Sequence, residues 1–201
     1  MIYLLGMFSI SVFAITSVIA TQNKNLDIFS VIFLGAVTAL GGGTIRDIVL
    51  GQFPIFWVND LWFLWVAIFT SFIAFFIVRS LSNKQELLLY LDGLGMALFS
   101  ITAAAKTIAL GFGPSIAIVM GLITAIFGGI LRDVLAGRPS LLLRKEMYAT
   151  PVLLGLCVYV LLHQWLPNPN VNIPLSISIT FIFRTAALYY KIHYPHWLCS
   201  R

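Results

Sequence analysis

The chain has 201 residues, 60% of them hydrophobic and 9% charged, with a formal charge of +5. A soluble domain carries about 25% charged residues, so no soluble core fits this composition and an all-α integral membrane protein is expected. The basic excess falls between apolar segments, which makes membrane topology its explanation and leaves no nucleic acid expected as a partner.

Seven segments are long and apolar enough to cross a bilayer, at about 2–20, 28–50, 57–79, 87–108, 114–136, 147–166 and 173–190. The first begins without a basic region or a cleavage site, and is read as a span and not as a removed signal. The connections are short, so the whole chain is expected to form a single transmembrane domain. In the seventh segment Ser176, Ser178 and Thr180 alternate with apolar residues like a strand. An open strand in lipid leaves its backbone unpaired, so the expectation is a helix. With the N-terminus outside, the inner loops and tail hold Lys24, Arg79, Lys84, Arg138, Arg144, Lys145, Lys191 and Arg201, and the outer side holds only Lys106. That bias predicts N-out, C-in. Trp57, Trp62, Trp165 and Trp197 lie near predicted span ends, as interface anchors do.

Sliding the chain by 86 residues aligns 5–51 with 91–137 without a gap, and 14 of the 47 pairs are identical. The identities include Phe13/Phe99, Thr38/Thr124, Gly42/Gly128, Gly43/Gly129, Arg46/Arg132, Asp47/Asp133 and Gly51/Gly137. Each unit holds three spans, so the second enters from the opposite face. The expectation is two inverted three-helix repeats, about 2–79 and 87–166, plus a seventh helix at about 173–190. Inverted repeats recur in membrane transport proteins, with the path at the interface between halves.

The aligned motif is Gly-Gly-x-x-Arg-Asp-x-x-x-Gly, late in the second and fifth spans. Glycine costs a helix roughly 1 kcal/mol relative to alanine. Gly41, Gly42 and Gly43, and then Gly128 and Gly129, are therefore read as kinks or unwound turns that free backbone carbonyls for a cation. Close helix packing is the plainer use of such small residues. Arg46–Asp47 and Arg132–Asp133 are neighbours in sequence and point about 100° apart on a helix, so each is expected to find another partner or water. Ionisable groups at bilayer depth are functional candidates by default. Inversion would put one pair at each mouth of a path; structural salt bridges are the alternative. Asp92 opens the fourth span and is read as an inner-mouth acid or a helix N-terminal charge. Lys106 is read as a gating charge or a snorkelling lysine. Thr38 and Thr124, with Thr16, Ser100 and Thr102, either line a pore or bond back to their own helices. No nucleophile motif, phosphate loop or metal-ligand cluster is present in the sequence, so neither an enzyme nor a cofactor is expected.

The two motifs on the second and fifth of seven spans, together with Asp92-Gly93-Leu94-Gly95, resemble the prokaryotic TRIC (trimeric intracellular cation) channel family, within a wider group that includes bacterial glycine transporters. The resemblance covers nearly the whole chain. It implies a homotrimer with one potassium-permeable, monovalent-cation path inside each protomer, bordered by kinked second and fifth helices. The partners it implies are potassium or other monovalent cations and membrane lipids. Phe127 replaces a third glycine in the second cluster, and Gly6 stands opposite Asp92 in the repeat. The short C-terminal tail points to a prokaryotic plasma (inner) membrane protein. The alternative reading is a secondary transporter of glycine or a similar small zwitterion.

Overall fold

A computed structural model describes residues 1–22, 24–80, 84–143, 147–166, 168–192 and 194. Arg144, Lys145, Trp197 and Arg201 lie outside the described residues. Among those described there are eight α-helices and no strand: α1 (Ile2–Thr21), α2 (Ile28–Val49), α3 (Phe56–Asn59), α4 (Trp62–Val78), α5 (Lys84–Ala109), α6 (Pro114–Leu135), α7 (Ala149–Trp165) and α8 (Pro169–Tyr189). Leu141–Leu143 form a single 3-10 turn. Helices α1, α2, α5, α6 and α8 are long and apolar enough to cross a membrane; α4 and α7 are apolar but only 17 residues long.

The third expected span divides into α3 and α4, because the stretch from Asn59 to Leu61 turns the chain. Asp60 fixes that turn by accepting a hydrogen bond from the Trp62 N–H at 3.0 Å. The fourth span starts three residues earlier than expected, since Lys84, Gln85 and Glu86 are good helix formers. The seventh segment is a helix, and the Ser178 and Thr180 hydroxyls bond back to Pro174 and Ser176 carbonyls.

Helices α1, α2 and α4 pack on one another, and so do α5, α6 and α7. The two groups meet where α1 lies on α5 and α2 lies on α6; α8 lies against α7 and α5. The pattern inverts that of a soluble bundle. Helix α4 turns Ala67, Ser71, Ala74 and Val78 inward and leaves Trp62, Trp65, Phe69, Phe72, Phe76 and Ile77 exposed. Small inward residues let backbones approach, and large outward ones meet lipid. Helix α5 is the most buried of the five long helices and forms the axis of the bundle.

Trp62 and Trp165 are largely exposed at helix ends. Trp57 is not a free interface anchor: its indole N–H donates to the Thr44 hydroxyl at 3.0 Å, which draws the ring onto α2.

Candidate functional site

The Arg-Asp motifs close two helices in the same way. At the end of α2, Gly51 takes φ 65°, its N–H bonds the Ile48 carbonyl, and the Gln52 N–H bonds the Asp47 carbonyl at 2.8 Å. At the end of α6, Gly137 takes φ 58°, its N–H bonds Val134, and the Arg138 N–H bonds Asp133 at 2.8 Å. These are Schellman caps, and the left-handed residue they need explains the glycine four positions after each aspartate. The aspartate carboxylates then hold the incoming loops. Asp47 Oδ2 accepts the Phe56 N–H at 3.0 Å, and Asp133 Oδ2 accepts the Leu141 N–H at 2.9 Å.

The remaining oxygens carry the charge. Arg46 Nε donates to Asp47 Oδ1 at 2.8 Å, and Arg132 Nε donates to Asp133 Oδ1 at 2.9 Å. This corrects the sequence expectation that adjacent Arg and Asp cannot meet. The Cβ directions do diverge, but the arginine side chain is long enough to curl around its own last turn. Burial, which strengthens the attraction between the two charges, favours that closure.

A third charge from α5 joins each pair. Lys106 Nζ lies 2.8 Å from Asp47 Oδ1, with its side chain 32% exposed. Arg132 Nη1 lies 2.5 Å from Asp92 Oδ1, both side chains fully buried. One end therefore holds two cations and one carboxylate; the other holds two carboxylates and Arg132. Asp92 is not a helix N-terminal charge, because α5 begins eight residues before it. It is an interior partner of α6. Lys106 is neither free nor simply snorkelling; it reaches across to α2.

The glycine clusters do not unwind their helices. Both α2 and α6 run without interruption through them. The glycines lie where helices touch, and intrahelical bonding persists because tertiary contact outweighs their weak propensity. A Cβ on Gly42 would stand 2.1 Å from the Thr124 carbonyl oxygen, and one on Gly128 would stand 3.0 Å from that of Thr38. The two contacts are related by the same 86-residue offset. Gly41 faces the Leu131 side chain, Gly43 the Phe56 ring, and Gly129 the Tyr148 hydroxyl. Thr38 and Thr124 are buried; Thr38 donates to the Ser17 hydroxyl at 3.2 Å, and Thr124 bonds back to Met120. Thr16, Ser100 and Thr102 also bond back to their own helices. Phe13 and Phe99, another offset pair, meet at the centre with ring centroids 5.3 Å apart.

A cleft of about 410 Å³ opens at the Arg46 end, between the start of α1, the α2–α3 connection and the end of α5. Arg46, Lys106 and Thr102 line it with Phe99, and Tyr3 and Asp60 stand in its wall. A larger hollow among α2, α4 and α6 is lined almost wholly by apolar side chains.

The family model described as Glycine transporter matches residues 3–79 and 89–164. The inner membrane protein YadS of Escherichia coli K12 is 36% identical over 197 residues, which cover 97% of this chain and 95% of that protein. A membrane protein of Vibrio cholerae is 40% identical over 202 residues, covering 100% of this chain and 84% of its own. A crystal structure of a TRIC trimeric intracellular cation channel orthologue from Rhodobacter sphaeroides aligns with TM-score 0.91 at 37% identity, covering 95% of this chain and 98% of that one. The chain belongs to the TRIC family. Like its bacterial relatives, this TRIC-family chain is a multi-pass protein of the inner membrane.

Two residues of this TRIC fold escaped the sequence reading. Arg184 of α8 is buried; its Nη1 donates to the Met147 carbonyl at 2.6 Å, and its guanidinium lies 5.0 Å from the Tyr148 ring centroid. Tyr148 is buried beside Asp92, Gly129 and Arg132. The signal for Arg184 was available: it is a lone charge in an apolar segment, the same argument that singled out Asp92. Tyr148 carries no such signal, since a tyrosine near a span end reads as an interface anchor.

Proposed function

We propose that this chain is a monovalent cation channel, permeable to potassium, with one path inside each protomer of a homotrimer. The observation that carries the reading is the match, along nearly the whole chain, to a protein described as a trimeric intracellular cation channel. In this reading the chain crosses seven times, N-out and C-in, with α4 and α7 as its short crossings and the two groups of three as inverted repeats. The path enters by the cleft at the Arg46 end and passes Phe99 and Phe13. It then runs between Gly41, Gly42 and Gly43 of α2 and Gly128 and Gly129 of α6, beside Thr38 and Thr124. It leaves beside Arg132. Arg46, Asp47 and Lys106 form one mouth, and Asp92, Arg132 and Asp133 the other. The buried Phe13–Phe99 pair supports a closed state.

A second reading, a carrier of glycine, is favoured by the family model's own description. Proteoliposomes containing only this protein separate the two. A potassium gradient read by a voltage dye and labelled-glycine counterflow are run on the same vesicles. The channel reading expects a dye response, raised by Phe99→Ala, without glycine exchange. Glycine exchange without potassium conductance overturns it.

A further inference from the structure

We infer that the cleft at the end of the bundle where α1, α4 and α6 finish binds an anionic phospholipid, its phosphate held by Lys24 and Lys84 and its glycerol and first acyl carbons resting on Leu26, Val31 and Phe75.

The connections gather the cations. After α1 the chain turns tightly, with the Gln22 N–H on the Ile19 carbonyl at 3.3 Å and the Lys24 N–H on the Thr21 carbonyl at 3.2 Å. Lys84, at the start of α5, reaches this turn. Its Nζ donates to Gln22 Oε1 at 2.9 Å and to the carbonyl of Arg79, at the end of α4, at 3.4 Å. Lys24 Nζ donates to the carbonyl of Gly137, in the cap of α6, at 3.4 Å. An ammonium has three hydrogens to give. Lys24 and Lys84 together use half of theirs, and only on neutral oxygens.

The described residues leave this charge unbalanced. Lys24, Lys84 and Arg138 line one lobe of the cleft, of about 320 Å³. Arg79 and Lys84 line a second lobe, of about 380 Å³, which shares Gln22 and Lys84 with the first. Among the described residues no Asp or Glu lines either lobe, and Lys24, Arg79 and Lys84 form no ion pair. Asp27, three residues after Lys24, is occupied by Ser30 at the start of α2. Three helix C-termini, of α1, α4 and α6, and two N-termini, of α2 and α5, meet here, so their half-charges nearly cancel. A ligand phosphate supplies the missing negative charge, and lysine is an established phosphate binder.

The second lobe makes the ligand a lipid. Leu26, Val31 and Phe75 give it an apolar side, and Phe75 stands one turn before Arg79 on α4. A few residues along the same two helices, Phe29, Phe72 and Phe76 are exposed on the surface that meets hydrocarbon. A free phosphate leaves the apolar side uncovered. A choline headgroup brings a cation of its own to the lysines. An anionic headgroup with acyl chains satisfies both lobes. In the N-out reading this end faces the cytoplasm, whose leaflet carries the anionic lipids. The site holds for a conducting protein and for a carrier alike.

The test is native mass spectrometry of the purified protein in detergent, titrated with phosphatidylglycerol and with phosphatidylcholine of the same acyl chains. Phosphatidylglycerol is expected to bind at least about tenfold more tightly. Lys24→Gln and Lys84→Gln are each expected to weaken it about fivefold, the worth of one cation beside an anionic lipid, and Lys84→Arg to keep it. Lys191→Gln, at an exposed cation that lines neither lobe, is expected to change nothing. Equal binding of the two lipids overturns the inference, and so does unchanged binding in a monodisperse Lys84→Gln protein. An equal loss in Lys191→Gln also overturns it, since general surface charge then suffices. Displacement of the lipid by an equal concentration of inorganic phosphate would mark a phosphate site and overturn the lipid. The comparison of lipids needs no variant, so a misfolded mutant does not stop the test.

Discussion

Asp92 and Lys106 stand 14 residues apart on α5, about 21 Å along one helix, and each completes an Arg-Asp pair of the opposite end. Asp92 makes its cluster net negative before Arg184 is counted, and Lys106 makes its own net positive. The repeat supplies the shared pairs, and α5 supplies the asymmetry.

The two ends should differ in what they contribute to stability. Asp92→Asn weakens a fully buried, charge-assisted bond to Arg132, which keeps Asp133 as its partner, and a loss of about 1.5–3 kcal/mol is expected. Lys106→Gln removes a partly exposed charge, and Asp47 keeps both Arg46 and the Phe56 N–H, so about 1 kcal/mol or less is expected. Unfolding midpoints of the two variants in one detergent check the order. Equal losses would contradict it.

Substitutions at the helix crossing should rank by distance. Gly42→Ala sets a methyl group against the Thr124 carbonyl at 2.1 Å, and backbone cannot turn aside as a side chain can. An overpacking loss of about 1–3 kcal/mol is expected. Gly128→Ala meets the Thr38 carbonyl at 3.0 Å and should lose clearly less. Thermal melts of both variants decide the matter, and the reverse order would show that α2 and α6 do not cross as described.

The caps separate conformation from space. A Cβ on Gly51 or on Gly113 would meet nothing within 4 Å, but only Gly51 has a positive φ. Gly51→Ala is therefore expected to cost about 1–2 kcal/mol, and Gly113→Ala, an N-cap where alanine is only a poorer cap, clearly less. Comparable melting shifts for the two would refute the cap.

At the start of α2, Asp27 accepts both the N–H and the hydroxyl of Ser30 at 2.9 Å, which holds its carboxyl below the usual carboxylate range. The cap is present above the unfolded carboxylate pKa and is lost as pH falls through the folded one. Amide exchange in the first turn of α2 should quicken on acidification for that reason. Asp27→Asn should keep the cap and remove the pH dependence.

Much of this fold was legible in the sequence because lipid imposes simple rules. Five of the seven expected segments appear as helices long enough to cross, with ends within a few residues, since apolar length and turn residues fix them. The Arg-Asp motif was legible as special but not in its bonding. A Cβ direction says little about where a guanidinium on a three-methylene stem will settle. The glycines were read as breaks, because propensity is a local quantity. Gly42 and Gly128 instead admit carbonyls of the facing helix, a fact that belongs to two segments 86 residues apart. Asp60 in the wall of the cleft was illegible for a related reason: a loop aspartate acquires its place only when Tyr3, at the start of α1, is brought beside it.

The order of synthesis gives the buried Asp92–Arg132 pair a further consequence. Arg46 and Asp47 can neutralise each other as soon as their helix turn forms, so α2 can leave the insertion machinery with its charges already matched. Asp92 cannot. Its partner Arg132 is made 40 residues later. A lone aspartate disfavours insertion by up to about 3 kcal/mol. Helix α5 therefore carries an unmatched acid, offset by its apolar length, until α6 arrives to pair it.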